Sequence, residues 1–219
     1  MRGVGESARS RPSRPLAAVE LTAEETLAQA LERHHPSLVL ACSFQKEESV
    51  LIDMLMRLEP QARVFTIDTG VLFPETIETW KAVEARYGLK IEVADATPLN
   101  GTPWSAEFCC SERKIAALDR VLDGVEAWIT GIRRQQSPTR AEAPKIEWME
   151  RRGVWKFNPL ADWSDEDVWD YVREHDLPYN PLHDRGYSSI GCAPCTRPGN
   201  GREGRWAGQE KTECGLHVA

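Results

Sequence analysis

Apolar positions along the chain change period at short intervals. Thr22-Ala-Glu-Glu25 has capping-box spacing and opens a helix carried through about Glu32. Ser37–Cys42 is a short unbroken apolar run, read as a buried strand. Over Lys46–Leu58 the residues Val50, Leu51, Met54 and Leu55 fall on one helical face. Arg63–Ile67 reads as a strand, and Pro74–Tyr87 as a helix opening on proline and closing at Gly88. Lys90–Val93 is a strand, Ser111–Leu122 a helix and Ala127–Thr130 a further strand. Ile146–Trp148 and Trp155–Phe157 flank Arg152-Gly153 as a hairpin. Ser164 caps a last helix ending at Glu174, with Asp167 at the fourth box position.

Strands alternating with helices predict an α/β fold, a mostly parallel twisted sheet with flanking helices and right-handed crossovers. The chain reads as a single domain with a C-terminal tail. Residues 1–19, rich in Arg, Ser and Pro, are expected to be a disordered leader. Residues 20–184 carry the alternating elements, and 185–219 are rich in Gly, Pro and Arg with little regular structure.

Ligands of parallel sheets lie beyond the carboxyl ends of the strands. Three polar loops follow predicted strands there. Ser43–Ser49 runs into a helix N-terminus that can hold an oxyanion. Asp68-Thr69-Gly70 offers a carboxylate and a close backbone approach. Gly131–Ser137 brings two consecutive guanidinium groups, Arg133 and Arg134. Each loop alone is an ordinary polar turn; three on one sheet edge point to a nucleotide pocket.

Composition narrows the classes. The 219 residues are 41% hydrophobic and 28% charged, ordinary for a globular protein. No apolar run approaches the ~18 residues of a membrane-spanning helix. The net charge of −7 argues against a general nucleic-acid binder. Yet Gly131–Arg152 holds six Lys/Arg against three Glu, and Arg185 to the end holds five against three. Such patches in an acidic protein suit a small anionic ligand.

The six cysteines follow no secretory signal, so metal binding or catalysis is favoured over disulfides. Cys109-Cys110 and Cys192-Ala-Pro-Cys195 are two close pairs, able to close a metal site or hold a [4Fe–4S] cluster. The vicinal arm departs from the usual zinc spacing and favours the cluster. The sequence after Cys195 cannot open a helix, which excludes an independent thioredoxin-like redox motif. Cys42 lies in an apolar strand and reads as core. Cys214 sits five residues from the last, near Lys211, Arg202, Arg205 and His217, which can favour its thiolate. By default an isolated terminal cysteine is inert.

The chain resembles the assimilatory adenylyl-sulfate reductases of the phosphoadenylyl-sulfate reductase family. The resemblance rests on Ser43–Ser49 with the following VLIDML, on the Ile67–Thr76 and Thr130–Arg140 segments, and on Cys109-Cys110-Ser-Glu-Arg-Lys114. It rests also on Gly191-Cys-Ala-Pro-Cys195, Arg202-Glu-Gly-Arg-Trp206 and Glu213-Cys-Gly-Leu-His217. It implies an adenine-nucleotide α-hydrolase-like fold and a [4Fe–4S] cluster on Cys109, Cys110, Cys192 and Cys195. It implies that Cys214 attacks the sulfur of adenosine 5′-phosphosulfate, leaving AMP and an enzyme S-sulfocysteine that a separate thioredoxin discharges as sulfite. Lys114, Arg202, Arg205 and His217 are then the phosphosulfate contacts. Ser43, Asp68, Thr69 and Gly70 line the nucleotide site, with Arg133 or Arg134 joining them. Residues 20–184 become the reductase domain and 185–219 its cluster-completing loop and catalytic tail. A cytoplasmic location follows, without nucleic acid or membrane partners; oligomeric state, a homo-oligomer included, is left open. Two other readings stand beside this one: a 3′-phosphoadenosine 5′-phosphosulfate reductase, and a non-catalytic metal-stapled nucleotide-binding module. A tRNA-thiolation enzyme would want an S-G-G-x-D-S loop and a basic surface, and both are missing.

Overall fold

A computed structural model describes residues 21–98, 112–206, 213 and 216. The leader, 1–19, lies outside them. Helix α1 spans Ala23–His34, with Thr22 and Glu25 closing the predicted capping box. Strand β1, Leu38–Cys42, leads into α2, Lys46–Leu58. Strand β2, Arg63–Asp68, is followed by α3, Pro74–Tyr87, which has proline in its first turn and Gly88 left-handed at its end (φ 62°). Then come β3 (Glu92–Asp95), α4 (Lys114–Leu122) and β4 (Ala127–Ile129). The hairpin β5 (Ile146–Met149) and β6 (Val154–Phe157) precedes α5, Asp165–Glu174, capped by Ser164.

The six strands form one sheet in the order β3-β2-β1-β4-β6-β5. All neighbours are parallel except β5, which pairs antiparallel with β6 as an edge strand. The chain winds outward from β1 through β2 to β3, then crosses back to β4 on the other side of β1. That reversal is the topological switch point, and it opens a crevice at the carboxyl ends of β1 and β4.

Side chains of β1 alternate between two cores. Leu38, Leu40 and Cys42 join the layer with Leu27, Leu51, Leu55, Ile129 and Val168. Val39 joins the opposite layer with Phe65, Leu118, Trp128 and Val154. A strand buried on both faces reads as continuous apolar sequence, which is why Leu38–Cys42 carries no period-2 signal.

Three elements differ from the sequence expectation by more than one residue. Helix α1 runs two residues further. Strand β3 begins at Glu92 rather than Lys90, because pairing with β2 sets in at Phe65↔Glu92 and the Ile91 amide donates to Glu84 Oε1 at 2.9 Å. Helix α4 begins at Lys114, after a wider turn at 112–113, while Ser111 lies outside the described residues. Among the described residues no helix is long and apolar enough to cross a membrane.

Candidate active site

The crevice at the switch point holds about 1020 Å³, open mouth included. Cys42, Ser43, Ile67 and Thr130 come to it from the strand ends; Lys114, Arg140, Arg202 and Arg205 bring positive charge. An acidic protein thus concentrates cations at one cleft, as an anionic ligand requires.

The first loop is held by its own backbone and by the next helix turn. Phe44 adopts a left-handed conformation (φ 58°), an unfavourable state for a bulky residue. Its ring is buried and stacks on Trp80, with centroids 5.4 Å apart, and this packing offsets the cost. Glu48 Oε2 accepts from Ser43 Oγ at 3.0 Å and from the Gln45 amide at 3.1 Å. Gln45 Oε1 in turn accepts the Ile190 amide at 2.7 Å, tying the segment before Cys192 to the start of α2. Burial, and then the neighbouring charge of Glu47, push the Glu48 carboxyl up to about 8, against the effect of its hydrogen bonds. Burial and Glu48 likewise raise the Cys42 thiol well above its ordinary range, and Cys42 sits in the core as expected.

The second loop turns on itself. Asp68 Oδ1 accepts the Gly70 amide at 2.8 Å, and Gly70 is left-handed at φ 71°. Thr69 is fully buried, with Oγ1 3.2 Å from Cys192 Sγ. Thr69 therefore faces the cysteine pair, while Thr66 and Ile67 face the cleft.

The third loop differs from its expectation. Both arginines have protein partners of their own. Arg133 donates to Glu47 Oε1 through Nε and Nη2 at 2.9 and 2.8 Å, and to Asp165 Oδ1 at 2.8 Å. Its side chain is 4% exposed. Lys46 completes the network at 2.6 Å from Asp165 Oδ1. Burial alone would raise Glu47, but the Arg133 and Lys46 charges hold it below the usual carboxylate range. Arg134 donates to the Ala143 carbonyl at 3.0 Å. The cation this segment sends to the cleft is Arg140.

Cys192 caps a short 3-10 turn, Ala193–Cys195, that ends on Cys195, and both cysteines are buried. The turn is tied to the second loop by the Ala193 amide, which donates to the Val71 carbonyl at 2.9 Å. Trp206 packs against both cysteines. The guanidinium of Arg205 lies 4.6 Å from the Trp206 ring centroid and that of Arg202 5.4 Å, so one indole supports both cations. Two buried thiols three residues apart, with a hydroxyl on one sulfur, are donors suited to iron or zinc. Cys109, Cys110, Cys214 and His217 lie outside the described residues, and among those that are described no group of three potential ligands converges.

Sequence reasoning missed three features. Arg140 and Gln136 line the cleft, though both lie inside the Thr130–Arg140 motif. The Glu47 and Glu48 carboxylates, given no role of their own in the Ser43–Ser49 loop, are buried. Glu213, inside the Glu213–His217 motif, binds Arg140 and Arg202 at 2.9 and 3.0 Å.

Comparison with known proteins places this architecture. Residues 37–198 match the phosphoadenosine phosphosulfate reductase domain. A phosphoadenosine 5′-phosphosulfate reductase of Gloeobacter violaceus is 43% identical over 216 residues, covering 91% of this chain and 90% of its own. An adenosine 5′-phosphosulfate reductase of Geobacillus kaustophilus is 43% identical over 224 residues, covering 95% of each chain. The phosphoadenylyl-sulfate reductase of Candida auris, solved as a phosphate complex, superposes with a TM-score of 0.68 at 30% identity, over 82% of this chain and 92% of that one. The FMN adenylyltransferase of Candida glabrata shares the fold at 17% identity and a TM-score of 0.63, over 82% of this chain and 63% of that one. Sheet, crevice and neighbours define an α/β protein of the adenine-nucleotide α-hydrolase-like class. Within it, the chain belongs to the phosphoadenosine phosphosulfate reductase family and is an oxidoreductase.

Proposed function

We propose that the chain reduces adenosine 5′-phosphosulfate to sulfite and AMP, using Cys214 as nucleophile and a separate thioredoxin as reductant. The observation that carries this reading is the cleft itself: Lys114, Arg202 and Arg205 line one nucleotide-sized crevice that Cys192 also borders. Names carried by relatives 42–43% identical over nearly the whole chain support the substrate.

In this reading the Cys214 thiolate attacks the sulfur of the phosphosulfate. The sulfur–oxygen bond to the α-phosphate breaks, and AMP leaves with that electron pair. Negative charge grows on the bridging oxygen, where Lys114, Arg202, Arg205 and His217 stabilise it. Ser43 borders the nucleotide, and the Asp68-Thr69-Gly70 turn supports that end of the cleft through Thr69 on Cys192. Arg133 and Arg134 serve by shaping the loop that presents Arg140. A thioredoxin thiolate then attacks the sulfur of Cys214, expelling sulfite and forming a mixed disulfide. The second thioredoxin thiol resolves it, so thioredoxin supplies both electrons.

Cys109, Cys110, Cys192 and Cys195 would hold a [4Fe–4S] cluster, which supplies charge and rigidity beside the anion site when bound. Thiolate ligation and a thioredoxin partner fit a reducing, cytoplasmic setting. Residues 20–184 serve as the reductase domain, with 185–219 as cluster loop and catalytic tail.

The test is the intermediate. Incubated with adenosine 5′-phosphosulfate and no reductant, the protein should gain about 80 Da, one SO₃ group, on the peptide holding Cys214. Thioredoxin should discharge it as sulfite. An adduct on Cys42, or turnover in Cys214→Ser, would overturn the mechanism. The Gloeobacter and Candida auris relatives are named for the 3′-phosphorylated substrate. A higher kcat/KM for that nucleotide would establish the second reading.

A further inference from the structure

Glu213 precedes Cys214 directly in the chain, and its carboxylate is gripped by five donors. Arg140 reaches both oxygens, Nε to Oε1 and Nη2 to Oε2, at 2.9 Å each. Thr139 Oγ1 and Ser137 Oγ donate to Oε1 at 3.0 and 3.3 Å, and Arg202 Nη2 to Oε2 at 3.0 Å. This is a bidentate, charge-assisted contact on a largely buried acid: the Glu213 side chain is 16% exposed and that of Arg140 11%. Burial works against the charged form, but the two guanidinium groups outweigh it and hold the carboxyl below its usual range. A rim ion pair with free side chains would be worth little. Here the arginines are themselves restrained. Arg140 Nη1 also donates to Gln136 Oε1, and Arg202 packs over Trp206.

A second anchor lies beyond Cys214. Leu216 packs into the cluster of Cys192, Cys195 and Trp206, and its carbonyl accepts from Arg152 Nη1 at 3.2 Å. Arg152 is held in turn by Asp119 at 2.8 Å. The chain is thus fastened on both sides of Cys214, at the cleft that Arg140, Arg202 and Leu216 line.

We infer that Glu213 is a positioning residue: held by Arg140 and Arg202, it fixes the backbone beside Cys214 at the cleft so that the thiolate is aimed at bound substrate. This rests on the reading of Cys214 as the nucleophile. The consequence is a separation of binding from chemistry. Misplacing a reacting group by about 1 Å costs on the order of a hundredfold in rate, while ligand affinity can stay intact.

The experiment compares Glu213→Gln, Glu213→Asp and the wild type as full-length holoenzymes. AMP affinity is measured by calorimetry, and the single-turnover rate of the 80 Da adduct from adenosine 5′-phosphosulfate by mass spectrometry. Glu213→Gln should slow adduct formation at saturating substrate by about tenfold or more, with AMP affinity within about twofold. Glu213→Asp should recover part of the rate. Iron content and Tm should match the wild type. An unchanged adduct rate, or a rate loss matched by lost AMP affinity, overturns the inference. If the wild type forms no adduct, the proposed function fails, and the anchor is read separately from Cys214 alkylation by iodoacetamide. Faster alkylation in Glu213→Gln then supports anchoring, and equal rates overturn it. Should Glu213→Gln not fold, Glu213→Asp carries the same comparisons.

Discussion

Arg205 crosses Gly191 so closely that a Cβ on that glycine would overlap its guanidinium group. Gly191 precedes the first cysteine of the Cys192–Cys195 pair, so the absent side chain is what lets the cation lie over Trp206. Arg205 Nη1 also donates to the Ile190 carbonyl at 3.2 Å. Gly191→Ala should therefore leave the sheet intact and push this flexible side chain aside. We expect kcat/KM for the sulfonucleotide to fall on the order of tenfold, about 1.4 kcal/mol, with Tm nearly unchanged. Steady-state kinetics beside a thermal melt checks this; wild-type kinetics would show that the cation's placement does not matter.

Glu48 gives stability a particular pH dependence. Its folded value of about 8 lies above the ordinary carboxylate value near 4.5. Between those limits the folded state binds more protons than the unfolded one. Stability contributed by the protonated acid is thus full below about pH 4.5, declines as pH rises, and is gone above about 8. Glu48→Gln keeps a carbonyl to accept from Ser43 and Gln45 but cannot ionise. It should be more stable than wild type at pH 8, by up to about 4 kcal/mol, with the gap closing toward pH 5. Urea melts across that range measure it, and a constant difference would contradict the burial argument.

The cysteine pair makes a compositional prediction. If Cys192 and Cys195 share a cluster with Cys109 and Cys110, anaerobically purified protein should be brown, with about four irons per chain. Cys192→Ser should lose iron and activity together, and should loosen Trp206, which packs on that thiol. Metal and sulfide analysis decides. One zinc per chain with no visible absorption would exclude the cluster.

Legibility in the sequence followed the range of the forces involved. Caps were readable, because Thr22 with Glu25 and Ser164 with Asp167 act across three residues. Strand–helix alternation gave the parallel sheet and thus the sheet edge carrying the cleft. The burial of the charged run Lys46-Glu-Glu-Ser49 has no local signal, since it depends on Arg133, Asp165 and Pro178, about ninety or more residues away in the chain. For the same reason Arg133 looked available to an anion, although its partner Glu47 lies 86 residues earlier. Arg140 and Glu213 stand in recognisable motifs, yet nothing local in either reveals that they meet.

That distant pairing of Arg133 and Glu47 leads to a sharp distinction between a ligand contact and a structural ion. Both side chains are nearly inaccessible, at 4% and 6%. Removing one member of a buried pair strands the other as an uncompensated charge, typically at 3–5 kcal/mol, whereas replacing both with apolar groups is often neutral. Arg133→Met should therefore destabilise by about 3 kcal/mol or more at pH 7. In the wild type the depressed Glu47 carboxyl contributes stability above the ordinary carboxylate value, lost as pH falls through its lower folded value. Without Arg133, burial becomes the dominant influence on Glu47 and raises it, so the variant's deficit should shrink between pH 7 and 5 as the acid takes up a proton. The double variant Arg133→Met with Glu47→Met should regain most of the loss. Denaturant melts of all three proteins at both pH values test the scheme. Wild-type stability in Arg133→Met, accompanied by a raised KM, would instead return Arg133 to the ligand.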